Sequence, residues 1–310
     1  MTLNSTTSDI SDYLAEQLCQ DPNYRVIRRL QGDSLFISAF PENAGLAIVL
    51  DTETTGTGDA DRLIELGMVS FAYDRSTGEV FGAVDRFDAL EDPGMPIPPE
   101  ATAVNGITDD MVAGCRIDDA AVQAMVERAD FVIAHNARFD RPVCERRFPF
   151  FKETAWACSL MQVNWAASGI TSAKLEYIAY RLGFFYDAHR AEVDCLALLH
   201  ALRLPLGTGP SAMSQILVRQ SEVTRRIWAI NAPYDAKDLL KYRGYRWSDG
   251  SAPDSEKAWF IEVLAEELDQ ELVFLKQEVY SNRPLCLPVD IVNAASRFSS
   301  RRGLTERLYR

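Results

Sequence analysis

The feature that most constrains the fold is an apolar run that ends abruptly in two carboxylates. Residues 46–56 have the sequence LAIVLDTETTG, in which five apolar residues precede Asp51 and Glu53. A short, continuous apolar run predicts a buried strand. Because side chains alternate along a strand, Asp51 and Glu53 lie on one face at its carboxyl end, the edge where α/β sheets hold their active crevices.

Two neighbouring carboxylates repel each other, so each resists ionisation unless a cation lies nearby. Carboxylate oxygens are hard ligands that suit Mg²⁺ or Mn²⁺. The alternative is a capped turn, in which Asp51 and the threonines accept hydrogen bonds from backbone N–H groups. Further acids along the chain favour the metal site.

Two later segments add further acids, and the first of them repeats this design. Asp140 follows the apolar strand 131–136 at the entry to a helix, and Asp194 lies in the first turns of another helix. Five residues of helix turn through roughly 500°, so His189 and Asp194 converge only if His189 lies on the preceding loop. A histidine there could act as the general base that takes a proton from the attacking water near neutral pH. A surface histidine without function is the alternative.

The order of elements predicts an α/β class, with helices packed on a partly antiparallel sheet. The division expected is an N-terminal extension (1–44), a catalytic domain (45–204), a linker (205–214) and a C-terminal domain (215–310). The predicted strands are 46–51, 62–74, 78–90 and 131–136; the predicted helices are 10–18, one starting near 108, 118–128, 142–147, 159–167, 173–182 and 191–204.

The bulk properties exclude several classes of protein. A net charge of −13 argues against a protein that coats nucleic acid regardless of sequence, although not against an enzyme that holds a few nucleotides. No stretch of 18 apolar residues is present, so no membrane association is expected. Six scattered cysteines without a CxxC pair predict a reducing, cytoplasmic setting.

Three ordered motifs carry a family resemblance: DTETTG at 51–56, HNARFD at 135–140 and HRAEVD at 189–194. Together they resemble the DEDDh-type 3′–5′ exonucleases, the family of the proofreading epsilon subunit of bacterial replicative DNA polymerase. The resemblance implies an RNase H-like fold, a mixed five-stranded sheet flanked by helices. It also implies hydrolysis from the 3′ end of single-stranded or frayed DNA to nucleoside 5′-monophosphates. The implied catalytic residues are Asp51, Glu53, Asp140, Asp194 and His189, with the four acids holding two Mg²⁺ or Mn²⁺ ions.

The resemblance also implies a set of substrate contacts around the 3′ nucleotide. For two members of the set a plainer role is open, since Glu65 could be a solvated strand residue and Phe139 could serve packing. The residues implied are Thr54, Thr55, Glu65, Asn105, Asn136 and Phe139.

The segment 232–250 interleaves basic and aromatic residues, a pattern that suits single-stranded nucleic acid. The alternative is a small α+β domain, with a strand at 257–263 and a helix at 266–280, that uses the aromatic residues as its core. The candidate contacts are Lys237, Lys241, Arg243, Tyr245, Arg246 and Trp247.

Two other functions remain open at this level: an exonuclease acting on RNA 3′ ends, and a non-catalytic module that recruits nucleic acid. The expected partners are nucleic-acid 3′ ends, DNA before RNA, with replication or repair proteins as further candidates. The segment QGDSLF (31–36) partly resembles peptides that dock on sliding clamps, but Ser34 stands where an apolar residue is preferred.

Overall fold

The computed structural model describes residues 4–58, 60–251 and 255–309, which form two five-stranded sheets and a two-stranded one. Helix α1 (Asn4–Gln20) contains the predicted helix 10–18, and strand β1 (Arg28–Arg29) follows it. Within the described ranges, no helix combines the length and apolar character that a membrane span requires.

The first sheet confirms the expected mixed sheet of five strands. Its central strand is β2, flanked on one side by an antiparallel meander and on the other by two parallel strands, in the order β4-β3-β2-β5-β6. The four strands predicted from the pattern are all present. The fifth has only three residues, too few for a periodic signal. The strands are β2 (Gly45–Thr54), β3 (Leu63–Tyr73), β4 (Val80–Leu90), β5 (Phe131–Ala134) and β6 (Trp156–Cys158), with β7 (Phe184–Phe185) pairing β1.

The helices around this sheet follow the predicted ones with three differences, the first being that the helix Pro99–Asn105 was not predicted. The helix expected from Pro142 begins at Ala137, so Pro142 lies inside it rather than in its first turn. The helix expected at 159–167 is interrupted near Val163, after which Asn164 caps a short 3₁₀ turn. The helices are α2 (Pro99–Asn105), α3 (Asp109–Val112), α4 (Asp119–Glu127), α5 (Ala137–Arg147), α6 (Ser159–Gln162), α7 (Leu175–Leu182) and α8 (Ala191–Arg203).

Strand β2 is buried on both faces, which explains its unbroken apolar sequence. Ala47 and Val49 pack in the cluster that contains α7 and α8, whereas Ile48 and Leu50 pack in the cluster that contains α4 and α5. All four side chains are fully buried. A strand enclosed between two layers of helices needs apolar side chains at every position, and alternation is lost. Polar residues therefore begin only where the strand leaves the core.

The second sheet is antiparallel throughout, in the order β12-β11-β8-β10-β9. The strand predicted at 257–263 is present, and the helix predicted at 266–280 is made of α11 and a π-helical turn, Leu275–Val279. Helix α9 starts inside the predicted linker 205–214 and packs on the first sheet; the domain boundaries remain a prediction. The elements are α9 (Ala212–Ser221), β8 (Thr224–Ala229), α10 (Lys237–Tyr242), β9 (Arg246–Asp249), β10 (Lys257–Leu264), α11 (Leu268–Phe274), β11 (Cys286–Val292) and β12 (Thr305–Tyr309).

Helix α5 fastens the C-terminal segment to the first sheet through a buried arginine. The guanidinium of Arg141 donates hydrogen bonds to the backbone carbonyls of Ala294, Ala295 and Arg297. Its Nε also donates to Glu145, 2.7 Å away, one turn along the helix. A buried charge needs this full set of partners to offset its lost hydration. The two sheets are therefore held together by a specific polar contact.

Candidate active site

Two carboxylates from β2 and one from α8 meet at the carboxyl end of the central strand. One carboxylate oxygen from each of Asp51, Glu53 and Asp194 lies within 4.8 Å of the other two. Asp51 and Glu53 share a face because they are two residues apart on one strand. The structure thus brings together three of the four acids expected to hold metal.

A glycine on β3 allows α8 to approach this point. Gly67 pairs with Asp51 across the two strands. A Cβ atom at Gly67 would lie 2.3 Å from the carbonyl carbon of Ala191, the first residue of α8. Any other residue would push the helix away from the sheet. This close contact sets the start of α8 over β3, which carries Asp194 to Asp51.

The fourth acid, Asp140, lies beside the cluster and is tied to β2. Its side chain is 2% exposed, and its Oδ1 accepts hydrogen bonds from the backbone N–H and the hydroxyl of Thr52, at 3.1 and 2.9 Å. Thr52 stands between Asp51 and Glu53 in the chain. The first turn of α5 therefore holds Asp140 against the strand that carries the other acids.

His189 lies on the loop before α8, as its spacing from Asp194 required. Its backbone is left-handed, with φ 70°, and its N–H donates to Asp194 Oδ2 at 2.8 Å. The N–H of Arg190 donates to the same oxygen at 3.1 Å. The imidazole itself is exposed. One carboxylate thus fixes the backbone of the histidine loop while the ring stays accessible to solvent.

The carboxylates carry an electrostatic strain that a cation would relieve. Burial raises the pKa of Asp51 well above its usual range, and the nearby Asp140, Asp194 and Glu53 raise it further. Burial likewise raises the pKa of Glu53 to about 7 and that of Asp140 to about 7. Each group favours its neutral form when no positive charge is near. The donor set consists of carboxylate oxygens alone, which fits a hard divalent cation.

Two side chains orient the acids. Asn105, expected to contact substrate, is buried, and its Nδ2 donates to Glu53 Oε2 at 3.3 Å while its Oδ1 accepts from the N–H of Ile107. The hydroxyl of Tyr186 donates to Asp194 Oδ1 at 3.0 Å. Sequence reasoning missed Tyr186, because nothing in its local spacing indicates that it reaches back to α8.

The other residues expected to contact substrate lie around the end of β2 and the start of α5. The hydroxyl of Thr54 donates to the carbonyl of Gly56, and that of Thr55 donates to Asp61, so both side chains are used inside the turn. Only the backbone of this turn is left to face a nucleotide. Asn136 is exposed at φ 86°, immediately before α5, and Phe139 is half-buried.

Glu65 requires a correction. It pairs with Glu53 across β2 and β3, and its side chain is only 1% exposed. Its carboxylate accepts hydrogen bonds from the guanidinium of Arg190 and from the backbone N–H of Ala191. Burial leaves it no surface for a nucleotide. Glu65 instead ties the start of α8, and with it the histidine loop, to β3.

The six C-terminal candidates do not form one surface. Tyr245 is 3% exposed and donates its hydroxyl to Glu271, which also pairs with Arg243, so the expected contact of Tyr245 with nucleic acid is wrong. It belongs to the core of the second sheet because strand β10 and α11 cover it. The exposed members contact different neighbours. Lys237 donates a hydrogen bond to Tyr234, whereas Lys241 and Trp247 lie near Trp259. Arg246 lies over the ring of Phe260.

A family model and proteins of similar sequence all point to one family. The RNase_T family model, described as Exonuclease, matches residues 48–202. The epsilon subunit of DNA polymerase III from Treponema pallidum is 32% identical over 157 residues, which cover 46% of this chain and 68% of that protein. An uncharacterized exonuclease, CP81, of Escherichia phage 186 is 36% identical over 179 residues, covering 50% of this chain and 87% of its own length.

Among solved structures, the zinc-bound complex of E. coli ExoI with single-stranded DNA matches with a TM-score of 0.49 and 15% identity, over 76% of this chain and 71% of that one. A likeness this weak adds nothing to the assignment, which rests on the family match and the two relatives.

The chain belongs to the exonuclease family. More narrowly, it is a 3′–5′ exonuclease of the DEDD type with an RNase H-like fold and an additional C-terminal sheet, which confirms the resemblance seen in the three motifs. Exonucleases of this kind act on nucleic acid and use divalent metals.

Proposed function

We propose that this chain removes nucleotides one at a time from the free 3′ end of single-stranded or frayed DNA, with Mg²⁺ or Mn²⁺ as cofactor. The observation that supports the proposal most directly is the meeting of Asp51, Glu53 and Asp194 beside the loop of His189. Family membership supplies the class of reaction. DNA as the substrate, the identity of the metal and the residue roles below are our inference.

Two divalent ions would be held by Asp51, Glu53 and Asp194, with Asp140 beside them. When bound, they would offset the repulsion among the carboxylates and stabilise negative charge on the phosphoryl group at the scissile bond. The carboxylate-only donor set favours Mg²⁺ or Mn²⁺ over softer metals.

The residues of the chain would act around the scissile phosphate as follows. An imidazole nitrogen of His189 accepts a proton from the attacking water, whose oxygen bonds to phosphorus. The bond from phosphorus to the 3′ oxygen of the preceding nucleotide breaks, and that oxygen takes a proton from solvent. The products are a nucleoside 5′-monophosphate and a strand one nucleotide shorter. Because the His189 ring is exposed, it can return its proton to solvent for the next cycle.

A test uses 5′-labelled DNA and RNA strands of matched sequence, incubated with Mg²⁺, Mn²⁺ or EDTA. The wild type is compared with Asp51→Asn and with Asp85→Asn, which alters an exposed carboxylate on the same sheet. We expect a ladder that shortens from the 3′ end of DNA only with metal. Asp51→Asn should slow it by about 100-fold or more, because metal stabilisation of the transition state is worth several kcal/mol.

Three outcomes would count against the proposal. Equal activity of Asp51→Asn and Asp85→Asn would reject the assigned site. Preference for the RNA strand would change the substrate. Intact strands with either metal would reject a free-standing nuclease and favour the recruiting module.

A further inference from the structure

A basic cleft of about 1080 Å³ lies between helix α5 and one face of the second sheet. Its wall on the first side includes Arg138, Phe139 and Arg146 of α5; on the other it includes Arg226 and Phe260. The volume lies at or above the upper end of the range of about 300–1,000 Å³ typical of small-molecule pockets. Thr57 and Gly58, in the turn after β2, line the cleft together with Arg138 and Phe139, so it adjoins the two chain segments that carry Asp51, Glu53 and Asp140.

Strand alternation explains why the second sheet turns polar side chains towards this cleft. On β8, Ile227 packs against α11 in the core, so its neighbours Arg226 and Trp228 face the other way. On β10, Ile261 faces the core and Phe260 faces the cleft. The face turned away from the core therefore carries arginine and aromatic side chains, and it is directed at the catalytic half of the chain.

The charge of the cleft is opposite to that of the chain. Six arginines and three glutamates line it, whereas the whole chain carries a net charge of −13. Two of the glutamates, Glu222 and Glu262, pair with Arg219, Arg226 and Arg297. Among the described residues, no ion pair involves the other three arginines of the cleft, which are Arg138, Arg146 and Arg246.

Arginines from the two halves of the chain line the same cleft, Arg138 on α5 and Arg226 and Arg246 on the second sheet, so their like charges repel. The guanidinium of Arg246 lies 4.9 Å and that of Arg226 5.9 Å from the centre of the Phe260 ring. Guanidiniums held over an aromatic ring keep their donors directed outward and lose less entropy on binding an anion. An anion in the cleft would relieve the repulsion.

The position of the cleft relative to the active site is fixed. Arg141, next to Asp140, donates to backbone carbonyls in the connection between β11 and β12 of the second sheet, so one helix supports both sites. A strand whose 3′ end lies at Asp140 must continue away from the carboxylates. The cleft offers that strand positive charge and partly exposed rings, the combination that binds single strands without sequence preference.

From this arrangement we infer that the arginine cleft binds the sugar–phosphate backbone of the same nucleic-acid strand, on the 5′ side of the nucleotide being removed. The inference rests on the proposed function for the site of hydrolysis. It assigns to the C-terminal sheet the task of holding the remaining strand while its 3′ end is shortened.

The test measures binding rather than cleavage. A 5′-fluorescein-labelled 20-mer of thymidine is titrated by fluorescence anisotropy in EDTA, over a series of NaCl concentrations. The cleft variant is Arg138→Gln with Arg246→Gln. The matched control is Arg128→Gln with Arg283→Gln, two exposed arginines outside the cleft. Thermal unfolding checks that both double variants remain folded.

The expected result follows from counterion release. Each lost phosphate contact lowers the slope of log K against log salt by about 0.7, so the cleft variant should lose about 1.4. If the affinities converge near 1 M salt, this corresponds to roughly 25-fold weaker binding at 0.1 M. The control pair should keep the wild-type slope, and Arg138→Lys with Arg246→Lys should restore most of it.

Equal slopes for the cleft and control pairs would overturn the inference and indicate diffuse electrostatic binding. If the wild type cleaves DNA in Mg²⁺ and the cleft variant binds the oligonucleotide as tightly as wild type, the role of the cleft is rejected and the proposed function stands. A wild type that binds through the cleft but never cleaves would reject the proposed function alone.

Discussion

Replacing Glu53 with glutamine should make the metal-free protein more stable, not less. Burial is the main cause that raises the pKa of Glu53 from 4.5 to about 7. A group whose pKa is higher in the folded state stabilises the fold at low pH and loses that contribution as pH rises through about 4.5 to 7. Glutamine has the same shape and can still accept the hydrogen bond from Asn105, but it never ionises.

The magnitude follows from the pKa difference. At about 1.4 kcal/mol per pH unit, ionised Glu53 weakens the wild type by roughly 3 kcal/mol at pH 8. At pH 5 most of that penalty is absent, because the carboxyl remains protonated in the folded state. The gain in stability of Glu53→Gln over wild type, measured as the increase in the free energy of unfolding, should therefore be roughly 2 to 3 kcal/mol larger at pH 8 than at pH 5.

Urea unfolding in EDTA, followed by tryptophan fluorescence at both pH values, measures this difference. Glu79→Gln, which changes an exposed glutamate immediately before β4, provides the matched control. The reasoning is refuted if Glu53→Gln is less stable than wild type at pH 8, or if the difference is the same at both pH values.

Three further predictions follow from the site and its supports. Glu65→Gln should lower kcat by roughly 10- to 100-fold with little change in KM, because it loosens the histidine loop without touching substrate. A raised KM with a normal kcat in steady-state assays would show instead that Glu65 contacts substrate. Arg141→Met should lower the free energy of unfolding by about 3–5 kcal/mol, against under about 0.5 for the exposed Arg128→Met. If urea unfolding shows the same loss of stability for both variants, the buried contacts of Arg141 do not stabilise the fold. Saturating Mg²⁺ should raise the Tm of wild type more at pH 8 than at pH 5.5, and an unchanged Tm at both would contradict a metal site.

The sequence alone was sufficient for the local features. The unbroken apolar run before Asp51 predicted a buried strand. The two-residue spacing from Asp51 to Glu53 predicted that both side chains lie on the same face of that strand. The five-residue gap between His189 and Asp194 required a loop histidine, because two helical positions that far apart diverge. These conclusions depend only on the periods of strands and helices, which hold wherever the element lies.

The tertiary structure decided which partner each polar side chain meets. Glu65 is on the expected strand, yet only the approach of α8 over Gly67 shows that it binds Arg190 instead of substrate. Strand β6 is too short for any periodic signal and exists because β5 offers it an edge. The same limit applies to Tyr186, whose contact with Asp194 depends on the path of the chain from β7 to α8.

The C-terminal segment shows this division most clearly. Its interleaved basic and aromatic residues predicted a surface for nucleic acid, but interleaving cannot say which residues a neighbouring helix will cover. Helix α11 covers Tyr245 in the core, while Arg246 lines the same cleft as Arg138, which lies far away in the chain. Local sequence sets the alternation; the packing of distant segments chooses the face, because buried apolar area is gained only where another element is present to cover it.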